Sequence, residues 1–207
     1  MPKGFVILAM IPKSLVEKKG RYMLKNPRIL LLDIESCGVN ALKADLGFVI
    51  VFGWKWLGEK SAHALTISKQ DLQKFSDRNL LIRASKLIQE ADFTVGHYSS
   101  IFDKKFIQGR LMINNLPAFY FPRMRDTCLG LRAVTNFSSK RLKHAAKIMK
   151  FRHQKMENNW PSAWMQIMRG DMRALRGLAE YCKGDVLALE ELYLRLRPYI
   201  KAWKEKE

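Results

Sequence analysis

Ile29-Leu-Leu-Leu-Asp33-Ile-Glu35 is a run of four aliphatic residues that ends in two carboxylates separated by one apolar side chain. Coming directly after the turn signal Asn26-Pro27, the aliphatic run reads as a buried strand. Side chains alternate along a strand, so Asp33 and Glu35 project from one face while Ile34 points away. Two carboxylates side by side repel unless a proton or a cation intervenes, and Mg2+ or Mn2+ with oxygen ligands is one remedy. Ion pairs with the chain's many basic groups are another.

Outward from that strand, Leu46–Trp56 and Ser61–Ile67 are β-rich and separated by Gly58-Glu59-Lys60, a hairpin that would complete an antiparallel meander of three strands. The period then becomes helical: Leu80, Leu81, Ala84, Leu87, Ile88 and Ala91 mark one face of a helix that Asp77 can cap. Phe93–Val95 reads as a strand and Gly96-His-Tyr98 as a turn, with a helix from Ser99 to Asn114 and a further strand from Phe121 to Arg125. Helices follow, the last from Asp171 to Leu196, stopped by Pro198. The expected class is α/β, a mixed central sheet flanked by helices, in the outline of an RNase H-like fold.

The 207 residues suit one domain. The formal charge of +18 calls for a polyanionic partner, which leaves nucleic acid, a ribosomal setting or a membrane surface in play. Cys37, Cys128 and Cys182 are odd in number and lack Cys-x-x-Cys spacing, against a disulfide framework and against zinc. His63, His97, His144 and His153 have no zinc-ligand spacing either. Phe5–Ile11 is short and stopped by Pro12-Lys13, unlike a signal peptide, and no run approaches the ~18 apolar residues of a membrane span. The expectation is a soluble, cytoplasmic protein without a membrane partner.

Two further acidic positions carry weight. Asp103 follows Phe102 at a helix start, where Ser100-x-x-Asp103 also fits a capping box. Tyr181 and Asp185 are four apart on the last helix, hence on one face. Asp is a poor mid-helix residue and Gly184 beside it costs about 1 kcal/mol relative to Ala, so a functional reason for the pair outweighs a surface one.

Asp33-x-Glu35 on a strand, Phe102-Asp103 after a Gly-His turn, and Tyr181-x-x-x-Asp185 on a late helix together resemble the three motifs of the DEDD 3′–5′ exonuclease superfamily, tyrosine subclass. The chain is similar to predicted RNase H-like exonucleases and to proofreading domains of family B DNA polymerases. The resemblance implies an exonuclease domain over 29–198, between a basic extension at 1–28 and a charged tail at 199–207. It implies two divalent cations, Mg2+ or Mn2+, held by Asp33, Glu35, Asp103 and Asp185, with Tyr181 positioning the attacking water. Asp33 would bridge, Glu35 and Asp185 would serve the water-activating ion, and Asp103 would support the other. Asp126-Thr127 resembles a structural segment of the family. DNA is the expected substrate ahead of RNA, and a polymerase or other replication or repair partner is compatible. The competing readings are an RNase H- or resolvase-type endonuclease, and a noncatalytic nucleic-acid-binding or polymerase-accessory protein.

Substrate contacts are expected from three places. Ser36 and Cys37 follow the acidic strand and could approach the terminal nucleotide through their backbone. Lys140, Lys143, Lys147 and Lys150 recur at helical spacing beside the apolar positions Leu142, Ala146 and Met149, with Arg152, His153 and Lys155 extending the basic tract. Tyr98 stands where the family often has Asn, either as a base-stacking surface or as a loop aromatic on the sheet edge. Trp54, Trp56, Trp160 and Trp164 read as core.

Overall fold

The computed structural model describes residues 15–18, 21–24, 26–153 and 160–203, with the side chains of 15–24 and 160–162 left aside. Lys155, the Trp160 side chain and the ends of the two flanking segments lie outside what is described. Within the basic extension, strands β1 (Leu15–Lys18) and β2 (Arg21–Leu24) form an antiparallel pair of their own.

The main sheet has five strands in the order β5-β4-β3-β6-β7: β3 (Ile29–Gly38), β4 (Gly47–Trp56), β5 (His63–Thr66), β6 (Phe93–Gly96) and β7 (Arg123–Asp126). β3, β4 and β5 pair antiparallel, while β6 joins β3, and β7 joins β6, in parallel. The meander and the mixed sheet are therefore as expected. β3 runs further than its aliphatic core suggests, however, because Ser36, Cys37 and Gly38 stay paired with β4 after a register shift between Glu35 and Ser36.

Seven helices are described: α1 (Lys69–Gln73), α2 (Arg78–Gln89), α3 (Asp103–Ile113), α4 (Thr127–Val134), α5 (Leu142–Ile148), α6 (Trp160–Met168) and α7 (Met172–Leu196). Alternation divides β3 between two hydrophobic clusters. Leu30, Leu32 and Ile34 join α2, α3 and the first half of α7. Ile29 and Leu31 join Leu142, Ala145 and Ala146 of α5 and the second half of α7. Asp33 and Glu35 share the parity of Ile29 and Leu31, which aims them toward α7.

Three local expectations need correction. Asp77 stands at the N-cap position of α2 but makes no side-chain cap bond. Its carboxylate instead accepts from Val49 N, Arg110 Nε and Nη2, and Asn114 Nδ2, a buried network tying α2 and α3 to β4. α3 begins at Asp103 rather than Ser99. α5 covers only Leu142–Ile148, so Lys140 precedes it and Lys150 follows it with φ 53. Trp203, within the segment read as a tail, packs on Tyr193 with ring centroids 5.7 Å apart. No described helix is long and apolar enough to cross a membrane.

Candidate active site

β6 pairs with β3 only as far as Leu31, which leaves the following edge of β3 open on that side. There the Ile34 N–H donates to Asp103 Oδ1 at 3.1 Å, so the first residue of α3 is fastened between Asp33 and Glu35. The capping box does not form. Ser100 Oγ donates to Asp126 Oδ2 at 2.6 Å, and α3 has no side-chain cap bond. Asp103 is buried, and its carboxyl is pushed up to about 6, chiefly by loss of hydration; hydrogen bonds from Ser99 and Ile34 oppose that rise and the Asp126 charge adds to it.

α7 brings the remaining groups. Tyr181 and Asp185 are both 4% exposed, on the face of the helix that meets the sheet. Between them Cys182, which the sequence gave no reason to place here, sends its thiol to Asp33 Oδ2 at 3.4 Å. The helix can come this close because Gly53, opposite Asp33 in the register, has no Cβ: one added there would sit 2.5 Å from Cys182 Sγ. One ligand atom from each of Asp33, Glu35 and Cys182 lies within 4.8 Å of the other two. Burial, then the charges of Asp33 and Glu35, push the Cys182 thiol well above its ordinary range, and Asp185 adds to this. A protonated thiol is a poor ligand, so the available donors are carboxylate oxygens. That hard-oxygen set fits a divalent cation of the Mg2+ or Mn2+ type.

Asp33 and Asp185 line a cleft of about 760 Å3, together with His97, Tyr98, Arg132 and the Lys140–Lys143 segment. Lys147 and Lys150 are exposed but are not among its lining residues. Ser36 is buried with its hydroxyl donated to Ala41 O, and Cys37 lines a separate cleft of about 310 Å3 with Trp164, Met165 and Met168. Trp54 and Trp56 pack against the first core cluster, as does Trp164.

Asp126 organises the wall of the larger cleft. It caps α4 through Cys128 N and Leu129 N, and its two oxygens also accept from Tyr98 N and Ser100 N. His97 is a cleft residue that spacing arguments passed over. Thr127 Oγ1 donates its one proton to Gly96 O at 3.0 Å, so its contact with His97 Nδ1 at 2.9 Å requires the ring nitrogen to be the donor. The signal was present in Gly96-His97 beside a strand end, but the Thr127 partner is 30 residues away.

A family model, described as the RNase H superfamily, matches residues 30–197. No curated protein matches the chain. Among solved structures, a family B DNA polymerase from the hyperthermophilic archaeon Pyrobaculum calidifontis aligns with a TM-score of 0.65 and 15% identity over 85% of this chain. The alignment covers 25% of the polymerase, so the chain spans about a quarter of that protein's length, and at this identity the likeness is one of fold.

Proposed function

The chain belongs to the RNase H superfamily, and on that premise we propose that it is a metal-dependent 3′–5′ exonuclease of the DEDD type, tyrosine subclass. The observation that carries this reading is the convergence on β3 of acidic groups from three distant segments: Asp33 with Glu35, Asp103 bonded at Ile34, and Asp185 sharing the cleft with Asp33. A binding module has no need to gather buried carboxylates where a polyanion must dock.

The reaction is hydrolysis of the terminal phosphodiester. Water adds to phosphorus, the bond to the departing 3′ oxygen breaks, and that oxygen takes a proton, giving a nucleoside 5′-monophosphate and a strand one nucleotide shorter. Asp33, Glu35, Asp103 and Asp185 would hold two divalent cations, with Asp33 shared between them. Four carboxylates balance the charge of two such ions. The ions would lower the pKa of water and stabilise the charge growing on the attacking and leaving oxygens. The Tyr181 hydroxyl, with an ordinary pKa near 10, suits orienting the water rather than removing its proton. His97, fixed by Thr127, presents its ring to the same cleft. Lys140 and Lys143 are placed to meet phosphates at the rim, and Tyr98 to meet a base. Lys147 and Lys150 could extend the phosphate track beyond the cleft, and Ser36 and Cys37 would act through backbone near the terminal nucleotide. DNA is proposed ahead of RNA, with a polymerase or repair partner compatible with the fold.

The test is a 5′-labelled strand of DNA or RNA incubated with Mg2+, Mn2+ or chelator, beside an Asp33→Ala/Glu35→Ala variant. A metal-dependent ladder shortening from the 3′ end is expected. Cutting of circular substrates would replace this reading with an endonuclease, and equal degradation by the variant would expose a contaminant.

A further inference from the structure

We infer that the cleft admits an unpaired strand, with Tyr98 as a platform on which a base stacks and Arg132 beside it as the cation that accompanies the strand. This rests on the proposed reading of the cleft as a nucleic-acid site and adds the substrate class.

Tyr98 has φ 66, in the left-handed region that a bulky aromatic rarely enters. Such a conformation persists only where the surroundings over-determine it. Here they do. The Asp126 carboxylate, 4% exposed, accepts from Tyr98 N at 2.9 Å and from Ser100 N and Oγ at 3.0 and 2.6 Å. What this fastening achieves is not core packing: Tyr98 is 40% exposed and belongs to neither hydrophobic cluster. It holds an aromatic ring at the wall of the cleft whose floor carries Asp33 and Asp185. The Arg132 guanidinium lies 5.8 Å from the centre of that ring. An aromatic face paired with a guanidinium is suited to a flat base attached to a phosphate.

The dimensions select one strand. A volume of about 760 Å3 is that of a small-molecule site, enough for a nucleotide or two and too little for two paired strands. Inside a duplex, moreover, each base face is already covered by its neighbours, so stacking on Tyr98 requires an end that is single-stranded or frayed. A base has the same aromatic face in DNA and RNA, so this contact recognises unpaired strands of either.

The experiment measures binding in an Asp33→Asn background with Mg2+, which removes one proposed metal ligand so that the strand stays intact. Fluorescein-labelled single-stranded DNA, single-stranded RNA and a blunt duplex of equal length are compared, and 2-aminopurine near the 3′ end reports stacking. Single strands should bind at least about tenfold more tightly than the duplex. Tyr98→Ala should lose about tenfold for single strands, and the 2-aminopurine quenching with it, while Tyr98→Phe keeps both. Tyr98→Gly, which accepts the positive φ, guards against a collapsed turn and should behave like Tyr98→Ala. Arg132→Ala should lower the salt dependence of single-strand binding by about one ion. Duplex bound as tightly as single strands, or Tyr98→Gly binding and quenching like the parent, overturns the inference. Binding as expected by a parent protein that cuts nothing would instead overturn the exonuclease reading and leave the binding mode standing.

Discussion

The backbone N–H of Ile34 donates to Asp103 Oδ1 at 3.1 Å, across 69 residues of sequence. The bond sets the entry of α3 against the strand position lying between Asp33 and Glu35. It also explains why a residue at a helix start is buried: the carboxylate completes a β3 edge that β6 leaves open after Leu31.

Burial without a cationic partner gives Asp103 a testable pH signature. Its carboxyl is raised from 3.8 to about 6 by desolvation, so between those values the folded chain holds a proton that the unfolded chain has released. Stability from this group is therefore fully present below about pH 4 and is lost as pH rises through about 6. In metal-free protein, urea unfolding should show Asp103→Asn gaining on the parent by on the order of 2 kcal/mol between pH 4.5 and pH 7. A difference that is constant across that window would contradict the shift.

Gly53 should tolerate no side chain while Cys182 is present. A Cβ would lie 2.5 Å from Cys182 Sγ and 3.2 Å from Val186 Cγ2, so Gly53→Ala must push α7 away from the sheet and carry Asp185 with it. We expect a loss of about 1–3 kcal/mol in stability and a drop in cleavage. Adding Cys182→Ala should recover part of both, although the Cys182 carbonyl, 3.3 Å from the same Cβ, limits the recovery. Additive losses in the double variant would mean that the clash is not the cause.

How much of this could be read from the sequence follows from how far each contact reaches. The β3 run, the hairpin β4–β5 and the apolar face of α2 are local patterns, and all three are found. Asp33 and Glu35 share a face because strands alternate, and Tyr181 with Asp185 because helices repeat. Cys182 beside Asp33 is different: the two are 149 residues apart, and nothing near either announces the other. The Asp77 carboxylate was misread for a related reason, since a residue suited to capping its own helix is equally suited to Arg110 on another. The lysine stripe failed at its ends, where Lys140 lies before the first turn of α5 and Lys150 lies past its last.

Lys55 and Glu190 form the second anchor between β4 and α7. Lys55 Nζ meets both Glu190 oxygens at 2.7 Å, and the lysine side chain is only 2% exposed. Removing one partner leaves the other buried and uncompensated, so Glu190→Gln should cost about 3–5 kcal/mol. Lys55→Met combined with Glu190→Leu should cost much less than the sum of the single changes. Thermal unfolding of the four proteins closes the cycle, and independent effects would show the contact to be incidental.

Tyr181 separates chemistry from packing. Its ring is 4% exposed within the first core cluster, so Tyr181→Phe keeps the apolar volume and removes only the hydroxyl. Loss of a single hydrogen bond costs about 1 kcal/mol of stability, which the fold should absorb. If the hydroxyl orients the attacking water, turnover should fall by roughly ten- to a hundredfold, at the low end of what a positioned proton-transfer group contributes. Strand affinity and metal dependence should stay as they were, because neither carboxylates nor rim residues are touched. Single-turnover cleavage at saturating enzyme makes the distinction, since it is blind to product release. An unaltered rate would return Tyr181 to the core, and a rate lost together with affinity would mean that the ring positions the strand rather than the water.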